Sequence, residues 1–155
     1  MREILFRGKR KDKDNDEWVE GLPIKTYDTE IGKNSVDYAN PVPVVLMASG
    51  RIVLECGYDE VPFFNTDEYP IVNPETVGQY TGLKDKNGTK IFEKDILSAH
   101  LDDGYPENET LLEVVWHNNG WYGKNGKFFD DFDNGFEKYF EVIGNIYDNN
   151  PELLK

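Results

Sequence analysis

Residues 72–97, VNPETVGQYTGLKDKNGTKIFEKDIL, constrain the possible fold of this protein more than any other stretch, because nearly every position has a local structural job. Asn73 can cap a helix, Pro74 suits the first helical position, and Glu75 favours the positive end of a helix dipole. One short helical turn is expected there. Gly78 and Gly82 limit it, since glycine inside a helix costs about 1 kcal/mol relative to alanine. Asn87-Gly88 follows between segments able to pair, which is the strongest short hairpin signal a sequence carries. Residues 91–97 leave that turn as a strand, interrupted by Lys94-Asp95 in the manner of a strand entering a small barrel through a tight turn.

A protein of 155 residues with 14% aromatic side chains can bury a real core in one domain, with or without an elaborated lobe. Its net charge of -13 opposes tight binding to a phosphate backbone, whose sequence-independent affinity comes from lysine and arginine displacing counterions. The imbalance is uneven, because Arg2, Arg7, Lys9, Arg10, Lys11 and Lys13 crowd the first 13 residues against only Glu3 and Asp12. A basic edge on an acidic body could pair one copy with another or touch nucleic acid locally, while the plainer reading is a solvated hairpin loop. Cys56 is the only cysteine, so an internal disulfide and a multi-cysteine zinc site are both excluded, which suits a reducing cytoplasm. No apolar run resembles a signal peptide or approaches a bilayer span.

In sequence order, residues 4–7 and 18–21 read as a hairpin with a charged tip from Lys9 to Asp16. Residues 22–38 are less periodic, with a turn cluster at 32–35, and are expected to be irregular with one or two short strands. Pro41 and Pro43 limit pairing before a second hairpin, expected from Val44–Ala48 and residues 51–56 around Ser49-Gly50. Residues 57–70 cross the surface. Beyond the central stretch, residues 111–117, 121–122 and 128–129 form a meander through the Asn-Gly turns at 119-120 and 125-126, and residues 141–146 close the sheet. Residues 132–142 carry the only hint of helical periodicity.

The chemistry-bearing residues form no constellation. His100 and His117 match no metal-binding or acid–base spacing. Asp130, Asn134, Gly135 and Glu141 fall on calcium-loop positions, but Phe132 stands where an oxygen ligand is needed. Ser35, Ser49, Ser98 and Cys56 have no nucleophile setting, and no phosphate-cradling glycine loop occurs. The remaining candidates for a binding surface are the basic Arg7, Lys9 and Arg10 and the aromatic Trp116, Trp121 and Tyr122, which with Phe128 and Phe129 could form a stacking or protein-binding face or simply a core.

Three segments together resemble the YopX family of phage and prophage proteins: residues 2–7 (REILFR) with Trp18-Val19, the central stretch, and EVIGNIYDNNPELL at 141–154. This sequence has Asn73 where the family often has Asp, an equivalent cap, and Lys94 where Gly is common, which puts the turn before Asp95 in question. Residues 22–70 match poorly and read as an insertion. The resemblance implies a small cytoplasmic accessory protein of a phage, and it brings no catalytic residues with it.

The expected fold is mainly β, a small SH3-like barrel or strongly bent antiparallel sheet from residue 73 onward, with an N-terminal hairpin lobe over residues 1–72 and one or two short helical turns. The expected function is non-catalytic binding of a host or phage protein, or self-assembly into a homo-oligomer, with no metal, cofactor or membrane. The alternative is a nucleic-acid-binding barrel using the basic hairpin.

Overall fold

The computed structural model describes residues 3–11, 17–28, 42–48, 70–100, 109–132 and 139–148, and the protein divides into two compact units. One spans Ile4–Val77; the other spans Gly78–Lys155 together with Met1–Glu3.

In the first unit the expected hairpin forms: β1 (Phe6–Lys9) runs antiparallel to the start of β2 (Trp18–Asp28), with Phe6 opposite Gly21 and Lys9 opposite Trp18. The expected strand content of residues 22–38 is present over 22–28, as a direct continuation of the hairpin, and residues 29–38 lie outside the described residues. From Leu22 onward β2 changes partner and pairs with β3 (Val42–Ala48), Leu22 opposite Ala48 and Asp28 opposite Val42. Pro23 lies beyond Gly21, where β1 stops pairing, so among the described residues of this unit β2 has a strand partner on one side only at this point, as a residue without an N–H permits. The expected partner of β3, residues 51–56, lies outside the described residues; its described partners are β2 and β4 (Ile71–Val72), so the order in this unit is β4-β3-β2-β1. Val45 and Val72 face each other across β3 and β4 and are buried, with Phe6, Val19 and Val77 packed on them.

The helix start in the central stretch is a single 3-10 turn, Pro74–Thr76. Asn73 caps it from extended backbone, its side chain accepting from the Glu75 N–H at 3.3 Å. The Thr76 hydroxyl donates to the Asn73 carbonyl at 2.7 Å and accepts from the Lys9 N–H at 2.8 Å, which fastens the turn to β1.

The second unit contains β5 (Gly78–Lys84), β6 (Lys90–Phe92), β7 (Asp95–His100), β8 (Glu109–His117), β9 (Gly120–Asn125), β10 (Phe128–Asp131) and β11 (Glu141–Asn145). β5 and β6 form the hairpin announced by Asn87-Gly88, with Gly88 at a φ of 84°. Residues 91–97 are two strands rather than one. Lys94 separates them by adopting a left-handed φ of 70°, so the turn persists with lysine in a position that glycine occupies without strain. The two motif glycines do not end a helix, because the turn is over at Thr76 and both lie in β5. Gly82 takes a φ of 90° where the β5–β6 register shifts, and Gly78 lets β5 pass close to the backbone of Glu93.

The remaining strands order as β10-β9-β8-β7-β11, all antiparallel. This corrects the expected SH3-like barrel: among the described residues the sheet ends at β10 and β11, which do not pair with each other, and within this unit β5 and β6 pair only as a hairpin. No helix among the described residues is long and apolar enough to cross a membrane. The core lies on one face of the sheet, where Leu97 faces Leu112 and Val114 faces Gly123. Ile91, Ala99 and Phe140 complete the buried cluster, and Leu83, Trp121, Phe132 and Val142 pack at its margin. Full burial of an Ile, Leu, Val or Phe side chain contributes about 1.5–3 kcal/mol. Glycine at 123 makes room for Leu112, whose Cδ1 would stand 2.6 Å from an added Cβ.

Gly78→Ala tests this packing. Its new Cβ would lie 2.6 Å from the Glu93 carbonyl oxygen, a backbone atom that cannot rotate away. Chemical denaturation is expected to show a loss of about 1–3 kcal/mol.

Candidate functional site

The basic candidates are largely engaged inside the first unit. The Arg7 guanidinium lies 4.6 Å from the centre of the Trp18 ring, a cation–π contact across β1 and β2. Arg10 has a side chain only 6% exposed and reaches Glu17 at 3.5 Å, while its N–H donates to the Glu17 carbonyl at 2.8 Å. Lys9 is half-buried, with its N–H held by Thr76. The Arg7 and Arg10 side chains are thus engaged within the hairpin.

The aromatic candidates separate by strand alternation. Trp116 and Trp121 are directly opposite on β8 and β9, so both indoles lie on the core face at the end of the sheet. Their rings meet edge to face, 4.9 Å between centroids at 75°. Trp121 packs against the core and Trp116 remains 51% exposed, the outermost member of the pair. The Trp121 Nε1–H is buried and has no hydrogen-bond partner among the described residues. Tyr122 falls on the other face, opposite Val115. Its phenol is hydrogen-bonded to Asp131, its cross-strand neighbour on β10, and that bond, with burial and the Asp131 charge, raises its pKa above the ordinary 10.0. The His117 ring meets Tyr122 edge to face at 5.5 Å. Phe128 and Phe129 lie in β10, and their side chains are outside the described residues.

The two histidines are not brought together. His100 pairs with Glu109 at one end of β8 and His117 stands at the other, about 26 Å away at the rise of an extended strand. Ser98 is buried in β7 with its hydroxyl donated to Glu109. Of the calcium-loop positions, Asp130 is in β10, Glu141 pairs with Lys86 at 2.8 Å, and 134 and 135 lie outside the described residues.

Two buried carboxylates and one buried amide outside these candidates, Asp85, Asp95 and Asn145, carry a polar network. Asp85 is buried at the head of the β5–β6 turn. Its Oδ1 accepts the N–H groups of Asn87 and Thr89, both at 2.8 Å, and its Oδ2 accepts the Val142 N–H at 3.0 Å. Burial alone pushes this carboxyl up, but the bonds from Val142, Thr89 and Asn87 outweigh it and hold the pKa below the ordinary 3.8. Asp95 is fully buried, accepting the Phe92 N–H at 2.8 Å and the Asn145 side-chain amide at 3.0 Å. Asn145 in turn accepts from the Tyr147 N–H at 3.1 Å and donates its own N–H to Asp148 at 2.8 Å. Both carboxylates therefore tie a turn of the central stretch to β11. The visible signal in the sequence was Asp two residues before Asn-Gly, where a carboxylate can cap its own turn.

Compared with known proteins, the sequence matches the YopX protein family over residues 6–155, a span that includes residues 22–70. It is similar to a solved structure, protein EF1440 from Enterococcus faecalis, at 26% identity and a TM-score of 0.53, with 100% of both proteins covered. No curated protein matches it.

Asp85→Asn keeps the shape of the side chain but presents an amide where three backbone donors converge, and a loss of about 1–3 kcal/mol is expected in denaturation experiments. The pH dependence follows from the depressed pKa: the stabilisation by Asp85 is present above the ordinary 3.8 and is lost as pH falls through the lower folded value. The substituted protein should show a shallower acid limb there.

Proposed function

Because the chain belongs to the YopX family, we propose that it is a phage or prophage accessory protein that works by binding another protein, or a second copy of itself, and catalyses no reaction. It acts in the cytoplasm of the bacterial host. The observation that carries this reading is Trp116, half exposed and held edge-on by Trp121 at the end of the five-stranded sheet. A large, rigid, partly solvated aromatic of this kind is the residue type that anchors protein interfaces. The buried carboxylates support the same reading, because Asp85 and Asp95 spend their acceptor capacity on backbone and amide donors of the fold. The nucleic-acid alternative is weakened by the engagement of Arg7 and Arg10 and by a net charge of -13.

Tagged protein and its Trp116→Ala variant, expressed in an infected host, are to be compared by light scattering and by identification of bound proteins. The substitution removes one edge-to-face pair from a half-exposed site and should cost about 1 kcal/mol of stability. The expected result is a stoichiometric complex or a defined homo-oligomer that the variant no longer forms. A monomer that binds nothing, or equal assembly by both proteins, would overturn the assignment.

A further inference from the structure

Four Asn-Gly pairs occur in the sequence, at 87-88, 119-120, 125-126 and 134-135, and the fold treats the three described ones differently. An asparagine followed by glycine is chemically labile, because the glycine nitrogen can attack the carbonyl carbon of the asparagine side chain with no Cβ in the way. Access to that nitrogen depends on where the dipeptide falls in its hairpin.

In the β5–β6 turn the Gly88 N–H donates to the Asp85 carbonyl at 2.9 Å, and the Asn87 N–H is held by the Asp85 carboxylate. The attacking nitrogen is thus engaged, and the backbone of the asparagine beside it is held. Between β8 and β9 the two-residue loop is Asn118-Asn119, both at positive φ, and Gly120 belongs to the closing pair opposite His117. The N–H of a closing residue in such a loop is directed at its partner's carbonyl. Between β9 and β10 the frame is shifted by one: Asn125 closes the ladder opposite Phe128, and Gly126 is the first loop residue. Gly126 has a φ of 58°, nothing within 4 Å of the Cβ position, and an N–H with no backbone acceptor among the described residues. Asn125 and Gly126 are both exposed.

We propose that Asn125 is a site of spontaneous self-modification, converting to aspartate and isoaspartate while Asn87 and Asn119 are protected. The Gly126 nitrogen loses its proton to solvent base and bonds to the Asn125 Cγ. The bond from Cγ to the amide Nδ2 breaks and ammonia leaves, giving a cyclic imide. Water then adds to either imide carbonyl, and ring opening yields aspartate or isoaspartate without any redox change. Either product places a carboxylate between Lys124 and Lys127, and isoaspartate adds a backbone carbon at the pair that closes β9 onto β10.

The folded protein is to be held at mildly alkaline pH beside a sample in denaturant, digested after aromatic residues, and the peptides resolved by chromatography and mass spectrometry. Folded protein is expected to convert Asn125 about two- to ten-fold faster than Asn87 or Asn119, the range that one retained hydrogen bond provides. In denaturant the three rates should come together. Conversion of Asn87 or Asn119 as fast as Asn125 in the folded sample would overturn the proposal, as would a rate order that denaturant leaves unchanged.

Discussion

The second unit depends on one fully buried carboxylate. Asp95 follows a lysine held at positive φ, at the point where the backbone turns from β6 into β7, and a carboxylate with no access to water is strongly unfavourable unless its oxygens are satisfied. The Phe92 N–H satisfies one oxygen from three residues back. The Asn145 amide satisfies the other from 50 residues ahead. A local turn and the last strand of the sheet are thus parts of one polar network, and neither is complete without the other.

Asp85 repeats the device at the other end of the β5–β6 hairpin. Its carboxylate shapes the Asp-Lys-Asn-Gly turn through Asn87 and Thr89 and reaches Val142 in β11. Backbone bonds from Lys86 to Phe140 and from Ile146 to Lys94 reinforce the two attachments. Between them, Val142 joins the apolar cluster around Leu97 and Phe140. This arrangement ties residues 85–97 of the central stretch to the C-terminal strand within one unit.

What could be read from the sequence was whatever near neighbours decide. Asn73 and Pro74 announced the 3-10 turn, and Asn87-Gly88 announced the hairpin, because capping and φ preference act over two or three residues. The burial of Asp85 and Asp95 was not legible, because their partners Val142 and Asn145 lie far along the sequence and no periodicity links them. The extension of β2 past Pro23 rests on its pairing with β3, far along the sequence, and the split of residues 91–97 on lysine tolerating a left-handed turn. Among the binding candidates, alternation across β8 and β9 put Trp116 with Trp121 and sent Tyr122 to the opposite face, a division that requires the register. The arginines could be counted in advance, but their engagement by Trp18 and Glu17 could not.

Asp95 and Asn145 act as one unit that joins the turn to the final strand. A double-mutant cycle with Asp95→Ala and Asn145→Ala, read by chemical denaturation, tests it most directly. A coupling energy of about 1–3 kcal/mol is expected, since either single change strands the partner of a buried pair. Additive effects, with coupling indistinguishable from zero, would contradict it.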